Sequence, residues 1–351
     1  MPAIDTLAFG QPVEVGQISR ALAKLWDSDA GATTRASVVT FAVVCRGIEE
    51  MKRNTAVISE FTNQHACRAL LAGIAPNGAG DAKVSAWINA HCHLSRAGAK
   101  QICCEQISFL FEGHSESRMA NTLFANLDSD LPLYLWWQGE FPDPIDETLW
   151  AWVDRLIYDS QEWKDVRGQF ALLRESIERA QAGLILCDLN WARSLHLRQA
   201  LSQMFDHPDN LPLLDDLQTI TIAHAPDNRS TALLLVSWFA AQLKFTGAAP
   251  DGAGFVFQRD GRAPVKFVLR PAAGRSLSLC ELTAASGSMQ VRRDQQGGFF
   301  RVEVRIGSDR VYNHLLPAGS NDTTSLLLWE IGGGSRHQVY RKALDVLETL
   351  L

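Results

Sequence analysis

The stretch CDLNWARSLHLR, residues 187–198, gathers an acid, an amide, an indole and two guanidiniums in one short segment. The apolar run Gly183–Cys187 before it reads as a buried strand. Asp188, Asn190, Trp191, Arg193 and Arg198 therefore fall where a strand hands over to a helix. Asp188 and Asn190 can hydrogen-bond nearby backbone amides and fix such a turn. Trp191 and Arg193, presented outward beyond it, would form an aromatic–cation contact surface. Three more expected strand ends carry similar groups: Trp136 and Trp137 close LYLWW, Asp159 and Ser160 close the strand from Val153, and His224 with Arg229 closes the strand from Leu217. In an open parallel sheet the strand C-termini share one edge, where ligands bind. Four such seams predict one polar, Trp-rich binding edge. Each seam taken singly also reads as packing, with Trp191 filling a crevice and Asp188 capping a helix.

Catalytic patterns are not found beside these groups. The sequence holds no Gly-x-x-x-x-Gly-Lys-Ser/Thr, no Gly-x-Ser-x-Gly and no His-Glu-x-x-His, and Arg46-Gly47-Ile48 follows the first strand where a dinucleotide fingerprint would stand. Gly78-Ala79-Gly80 precedes a strand, so it cannot aim a helix N-terminus at a phosphate. His91 and His93 share a strand face, with His65 or His114 as further ligands for a metal. Without an acidic ligand at fixed spacing they read as half-exposed strand residues. Gly332-Gly333-Gly334-Ser335 reads as a hinge with Ser335 as the N-cap of a last helix. No nucleophile–base pair, carboxylate pair or metal set can be assembled by spacing. The expectation is a non-enzymatic binding or regulatory protein without a metal or cofactor.

The elements that must position the seams are legible from hydrophobic period. Helix-period segments at Gln17–Asp27, Ile48–Thr62, Asp165–Gln181, Leu195–Phe205 and Asn228–Leu243 alternate with buried strand runs such as Ala36–Cys45 and Ala66–Ile74. Val84–Leu94 and Gln101–Phe111 look like neighbouring strands joined through Ser95–Gly98, and Pro76–Asp81 is a turn. This alternation predicts an α/β domain over 1–245, with a mainly parallel sheet and flanking helices. Thr246–Gly254 reads as a linker. Beyond it, close-spaced runs from FVFQ to TSLLLWEI predict an antiparallel β-rich domain over 246–351, covered by a terminal helix, Ser335–Leu351, through Val339, Ala343, Val346, Leu347 and Leu350.

Bulk composition narrows the function classes. The chain has 351 residues, enough for two domains, with 46% apolar and 21% charged residues. A net charge of −6 argues against non-specific nucleic-acid binding, because no excess of cations is available to displace counterions. The longest apolar candidate, Ala232–Phe245, is broken by Ser237, Gln242 and Lys244 and falls short of a membrane span. MPAIDTLAFGQPVEVG has neither the basic nor the apolar part of a signal peptide, so a cytoplasmic location is expected. The 7 cysteines lie mostly in apolar segments, which predicts buried free thiols, inert to oxidants, in a reducing compartment.

DLPLYLWWQGE (130–140), DSQEW (159–163), CDLNWARSLHLRQALSQMFD (187–206) and NRSTALLLVSWFAAQL (228–243) resemble, in order and spacing, blocks of the glucose-6-phosphate dehydrogenase assembly protein family, OpcA. The resemblance runs from about residue 17 to the end and is strongest over 130–243. Asp-Leu-Asn-Trp-x-Arg is its most specific piece. One departure is Ser194-Leu195-His196-Leu197, where the family typically carries a Thr-Pro-Trp-like stretch. The resemblance implies a non-catalytic partner of glucose-6-phosphate dehydrogenase that promotes its assembly or allosteric activation, and so serves the oxidative pentose phosphate pathway and NADPH supply. It carries Trp136, Trp137, Asp159, Ser160, Asp188, Asn190, Trp191, Arg193, Arg198 and Arg229 over as a partner- or ligand-binding edge. The alternatives are an enzyme or sensor that grips a phosphosugar or nucleotide with Arg193, Arg198 and Arg229, and a structural scaffold that assembles with itself.

Overall fold

The computed structural model describes residues 7–27, 33–75, 81–94, 101–128, 130–179, 183–274, 276–294, 296–307, 310–332 and 338–351. The turn expected at Pro76–Asp81, the Ser95–Gly98 connection and Gly333–Ser335 lie outside these residues, except for Asp81. Two compact units form, Met1–Asp159 with Gly168–Cys187, and Ser160–Arg167 with Asp188–Leu351.

The first unit is built from β1 (Gln11–Val13), α1 (Ile18–Asp27), β2 (Thr33–Arg35), β3 (Val39–Arg46), α2 (Gly47–Thr62), β4 (Cys67–Ile74), β5 (Lys83–Leu94), β6 (Gln101–Glu112), α3 (Met119–Phe124), β7 (Leu133–Trp137), α4 (Glu147–Trp150), β8 (Arg155–Tyr158), α5 (Val166–Arg179) and β9 (Ile185–Asp188). Its sheet runs β1-β5-β6-β4-β3-β7-β8-β9, with β2 on β6. The pairs from β6 through β4, β3 and β7 to β8 are parallel, and β5 and β1 extend the sheet antiparallel. Continuous apolar β3 and β4 suit strands covered on both faces, and both are almost wholly buried. On α2, Met51, Ile58 and Phe61 face this sheet, and the Phe61 ring stacks 4.6 Å from Phe41. A Cβ on Gly73 would stand 2.1 Å from the Met51 sulfur, so any larger residue there would force Met51 to shift.

The second unit comprises α6 (Leu189–Ala192), α7 (Leu195–Met204), α8 (Pro212–Asp215), β10 (Leu217–His224), α9 (Arg229–Leu243), β11 (Thr246–Asp251), β12 (Gly254–Arg259), β13 (Arg262–Pro271), β14 (Leu277–Ala284), β15 (Gly287–Arg293), β16 (Phe299–Ile306), β17 (Arg310–Pro317), α10 (Thr323–Gly332) and α11 (Gln338–Leu350). Its sheet order is β11-β12-β13-β10-β14-β15-β16-β17. Only β10 and β13 among these neighbours pair parallel. The fold is thus mixed α/β with two large sheets.

Several expectations change. The boundary expected after residue 245 falls near Asp188 instead, because β10, which reads as one more α/β strand, is inserted between β13 and β14 of the second sheet. Thr246–Asp251 is the edge strand β11 rather than a linker, and an edge tolerates Pro250. TSLLLWEI belongs to helix α10; an apolar run of that length carries no period that separates helix from strand. Asp322 accepts a hydrogen bond from the Ser325 N–H at 2.9 Å and starts that helix. The terminal helix does not cover the sheet. It packs on α9 with Tyr340, Ala343 and Leu347 buried, while Val339 is exposed. That leaves α9 enclosed on both sides, which accounts for its all-round apolar sequence, and Phe239 from α9 meets Phe267 of β13 at 6.1 Å.

Cysteine pairing also differs from the expectation of free thiols. Cys92 and Cys103, directly opposite on β5 and β6, form a disulfide, with Cys92 exposed and Cys103 buried. Hairpin register, which cysteine spacing does not reveal, brings them together. Cys45, Cys67, Cys104, Cys187 and Cys280 are free and buried as expected. Burial pushes the Cys45 thiol up to about 12.

Candidate functional site

At the 187–198 seam the turn forms as its residues dictate, and it is sealed. Asp188 is fully buried and caps α6. Its Oδ1 accepts the backbone N–H groups of Asn190 at 2.9 Å and Ser160 at 3.0 Å. Its Oδ2 accepts the Ser160 hydroxyl at 2.6 Å and the Tyr340 hydroxyl at 2.9 Å. Asn190 donates to the Ser160 and Ser230 hydroxyls at 3.0 and 3.1 Å, and its carbonyl accepts the Thr231 hydroxyl. Such a network ties α6, α9 and α11 of the second unit to one carboxylate. Four donors on two oxygens leave that carboxylate no lone pair suited to proton abstraction.

Trp191 is buried too, at 4% exposure, which corrects the expectation that it faces outward. Its ring lies 5.1 Å from the Tyr340 ring, and the Arg198 guanidinium sits 3.4 Å over its face. Arg198 also donates to the Trp191 carbonyl at 3.1 Å. Burial pushes the Arg198 guanidinium down to about 9, partly offset by the buried Glu330 carboxylate, so it stays cationic at neutral pH. The cation–aromatic contact read from sequence exists, but inside the unit. The departing stretch packs as part of this core: Ser194 donates to the Trp191 carbonyl at 3.0 Å, Leu197 is buried, and the His196 ring occupies the place of a Cβ on Gly319. Gly319 is also held at φ +66, a left-handed conformation suited to glycine.

In the first unit, Trp136 and Trp137 are likewise core residues, at 3% and 5% exposure. The Trp136 ring stacks 6.5 Å from Phe41; Trp137 donates to the Glu140 carbonyl at 3.1 Å and packs on Phe141. Asp159 is buried, as is His224 in the second unit, whose Nδ1 lies 2.8 Å from the Ala225 carbonyl. Of the ten residues expected to form a binding edge, only Arg193, half-exposed, and Arg229, exposed at the start of α9, reach solvent.

Sequence reasoning missed Tyr340, Thr231 and Glu330. Tyr340 reaches Asp188 across 152 positions, and no local pattern marks it. Glu330, a lone acid in an apolar helix, was the one readable signal. Among the described residues no group of three or more His, Cys, Asp or Glu side chains could share a metal ion. His91 instead hydrogen-bonds Gln106 at 2.7 Å. A cavity of about 390 Å³ in the second unit is bounded by residues including Asp206, His207, Asn210 and His314. No helix of the described residues is long and apolar enough to cross a membrane.

Comparison with known proteins follows the division into two units. The family profile described as glucose-6-phosphate dehydrogenase subunit N-terminal domain matches residues 58–175, and its C-terminal counterpart matches residues 185–344. A relative from Nostoc punctiforme, named as an OxPP cycle protein OpcA, is 28% identical over 193 residues, covering 54% of this chain and 40% of the relative. A relative of the same name from Synechococcus elongatus is 23% identical over 353 residues, covering 91% of this chain and 78% of its own length. The chain thus spans less than half of the Nostoc protein. Among solved structures, biliverdin reductase from Synechocystis sp. PCC 6803 overlays with a TM-score of 0.47 at 11% identity, covering 90% of this chain and 97% of that one. That level of likeness carries no statement about chemistry. The two profiles together span most of the sequence, and the chain belongs to the OpcA glucose-6-phosphate dehydrogenase assembly family.

Proposed function

We propose that the chain is a non-catalytic partner of glucose-6-phosphate dehydrogenase, acting in the cytoplasm to promote the enzyme's assembly or allosteric activation and so the supply of NADPH. The observation that carries this reading is the match of both units to the two domain profiles of one family. The closed seam supports it over a phosphosugar or nucleotide enzyme: Arg198 is spent on Trp191, and the Asp188 carboxylate is saturated by donors from its own unit. Arg193 and Arg229 are the two members of the expected binding edge that keep a role in contact with the partner in this reading.

Steady-state assays test it. The purified chain alone should turn over neither glucose-6-phosphate nor a phosphate ester. Added to its cognate dehydrogenase, it should raise the rate or shift the substrate dependence. An unchanged rate at every substrate level would count against the proposal.

A further inference from the structure

The second unit presents a sheet face that its own helices leave uncovered. Strand register divides the side chains of β13, β10, β14, β15, β16 and β17 into two sets. One set, including Phe267, Ile222, Cys280, Val291 and Val302, is buried on the α9 side. The other set lies on the opposite face, and one row of it reads across the strands as Arg270, Ala223, Leu279, Arg292, Arg301 and Leu315. Arg270, Arg292 and Arg301 are exposed.

Three features of that row have no account in folding. Arg292 and Arg301 stand directly opposite each other on β15 and β16. Like charges in that position destabilise a sheet. Nearby carboxylate does not cancel them: Glu303 is engaged by Gln290 at 2.6 Å and Arg305 at 3.5 Å. Arg292 reaches only the Gln290 amide oxygen at 3.3 Å, and Arg301 has no hydrogen-bond or ion-pair partner among the described residues. Leu315, the register partner of Arg301, is 59% exposed, and Phe299, two residues along the same face, is 50% exposed. Arginine and exposed aromatic residues are enriched at interfaces, and here an arginine pair stands beside an exposed Phe, with Leu315 adding apolar area. The chain as a whole carries a net charge of −6, so this cationic patch runs against the bulk.

We infer that the β15–β17 face, centred on Arg292, Arg301, Phe299 and Leu315, docks a protein surface that presents carboxylates around an apolar centre. The inference rests on the proposed function, which makes the dehydrogenase that partner. Carboxylates from the partner relieve the Arg292–Arg301 repulsion, and Phe299 and Leu315 bury against its apolar centre. Because the anchors sit on strands rather than loops, the patch is held in place before binding.

The test uses the full chain and its purified cognate dehydrogenase, with affinity measured at low and at moderate salt. Arg292→Glu/Arg301→Glu should weaken binding by at least about 30-fold, the fold-change of an anchor loss of about 2 kcal/mol. Its thermal melting should match the wild type. Arg53→Glu, a single charge reversal at an exposed α2 position of the other unit, should leave affinity unchanged. Salt should weaken the wild-type complex and barely affect the residual binding of the double variant. Wild-type affinity in the folded double variant would overturn the docking face while leaving the proposed function standing. Loss of self-association with unchanged dehydrogenase binding would assign the face to a second copy of the chain and equally overturn it. A wild-type chain that binds no dehydrogenase would defeat the proposed function, and this inference with it.

Discussion

Arg198 and Arg301 carry the same guanidinium into opposite settings. At the 187–198 seam the charge is 8% exposed, stacked on an indole and set near a buried carboxylate. On the second sheet's open face the charge is solvated, without a partner among the described residues, and opposed by another arginine. Residue type alone therefore does not locate a binding surface. What separates the two regions is whether the polar groups are satisfied from within: the seam closes on itself through Asp188, Asn190, Thr231 and Tyr340, and the open face leaves charge and apolar area facing water. The buried members of the seam should therefore answer to mutation through stability and the open face through binding.

The largest effects belong to the seam. Trp191→Ala should cost about 3–5 kcal/mol of stability, as for other buried aromatic truncations. Asp188→Ala should cost about 2–6 kcal/mol, since it orphans two buried backbone N–H groups at about 1–3 kcal/mol each. Thermal or urea unfolding reads both. A loss under about 1 kcal/mol for either would show that the seam is not a closed core and would collapse the contrast.

Thiol labelling gives a second contrast, between buried and exposed cysteines. The native protein should react slowly at Cys45, Cys67, Cys104, Cys187 and Cys280, all buried. Reduction should add one fast-reacting thiol, the exposed Cys92, with Cys103 remaining slow. Mass mapping of the labelled sites checks this, and fast labelling before reduction at any buried position would contradict it.

A smaller effect comes from pH. Burial, and then the charge of Arg293, hold the His196 imidazole below its ordinary value. The unfolded chain takes up that proton near pH 6.5, before the folded protein does. The contribution of His196 to stability is therefore fully present above about pH 6.5 and declines as pH falls toward the depressed folded value. Unfolding midpoints measured between pH 7.5 and 5 should slope downward in acid, and His196→Gln should flatten part of that slope. An unaltered slope would remove His196 from the closed seam. The smallest effect is on the face: Arg301→Ala should change stability by no more than about 0.5 kcal/mol, as expected for a surface position.

Much of the first unit was legible in the sequence. The β-branched runs of β3 and β4 and the amphipathic period of α1 and α2 carry their own assignments. The turn chemistry of Asp188 and Asn190 was also readable, because capping acts over two residues. Its burial was not, since Tyr340 arrives from α11 and Thr231 from α9. Trp136, Trp137 and Trp191 carry no local mark that separates a core indole from a surface one. Insertion of β10 between β13 and β14 is a matter of strand order, which hydrophobic period does not encode. The open face escaped reading for a related reason: Arg292 and Arg301 become neighbours only once β15 and β16 are placed in register.

Sedimentation velocity of the dehydrogenase, alone and with an equimolar amount of this chain, tests the central claim most directly. The dehydrogenase boundary should shift to a larger species containing both chains. That shift should be lost with Arg292→Glu/Arg301→Glu and kept with Arg53→Glu. Two boundaries that sediment independently in the wild-type mixture would contradict it.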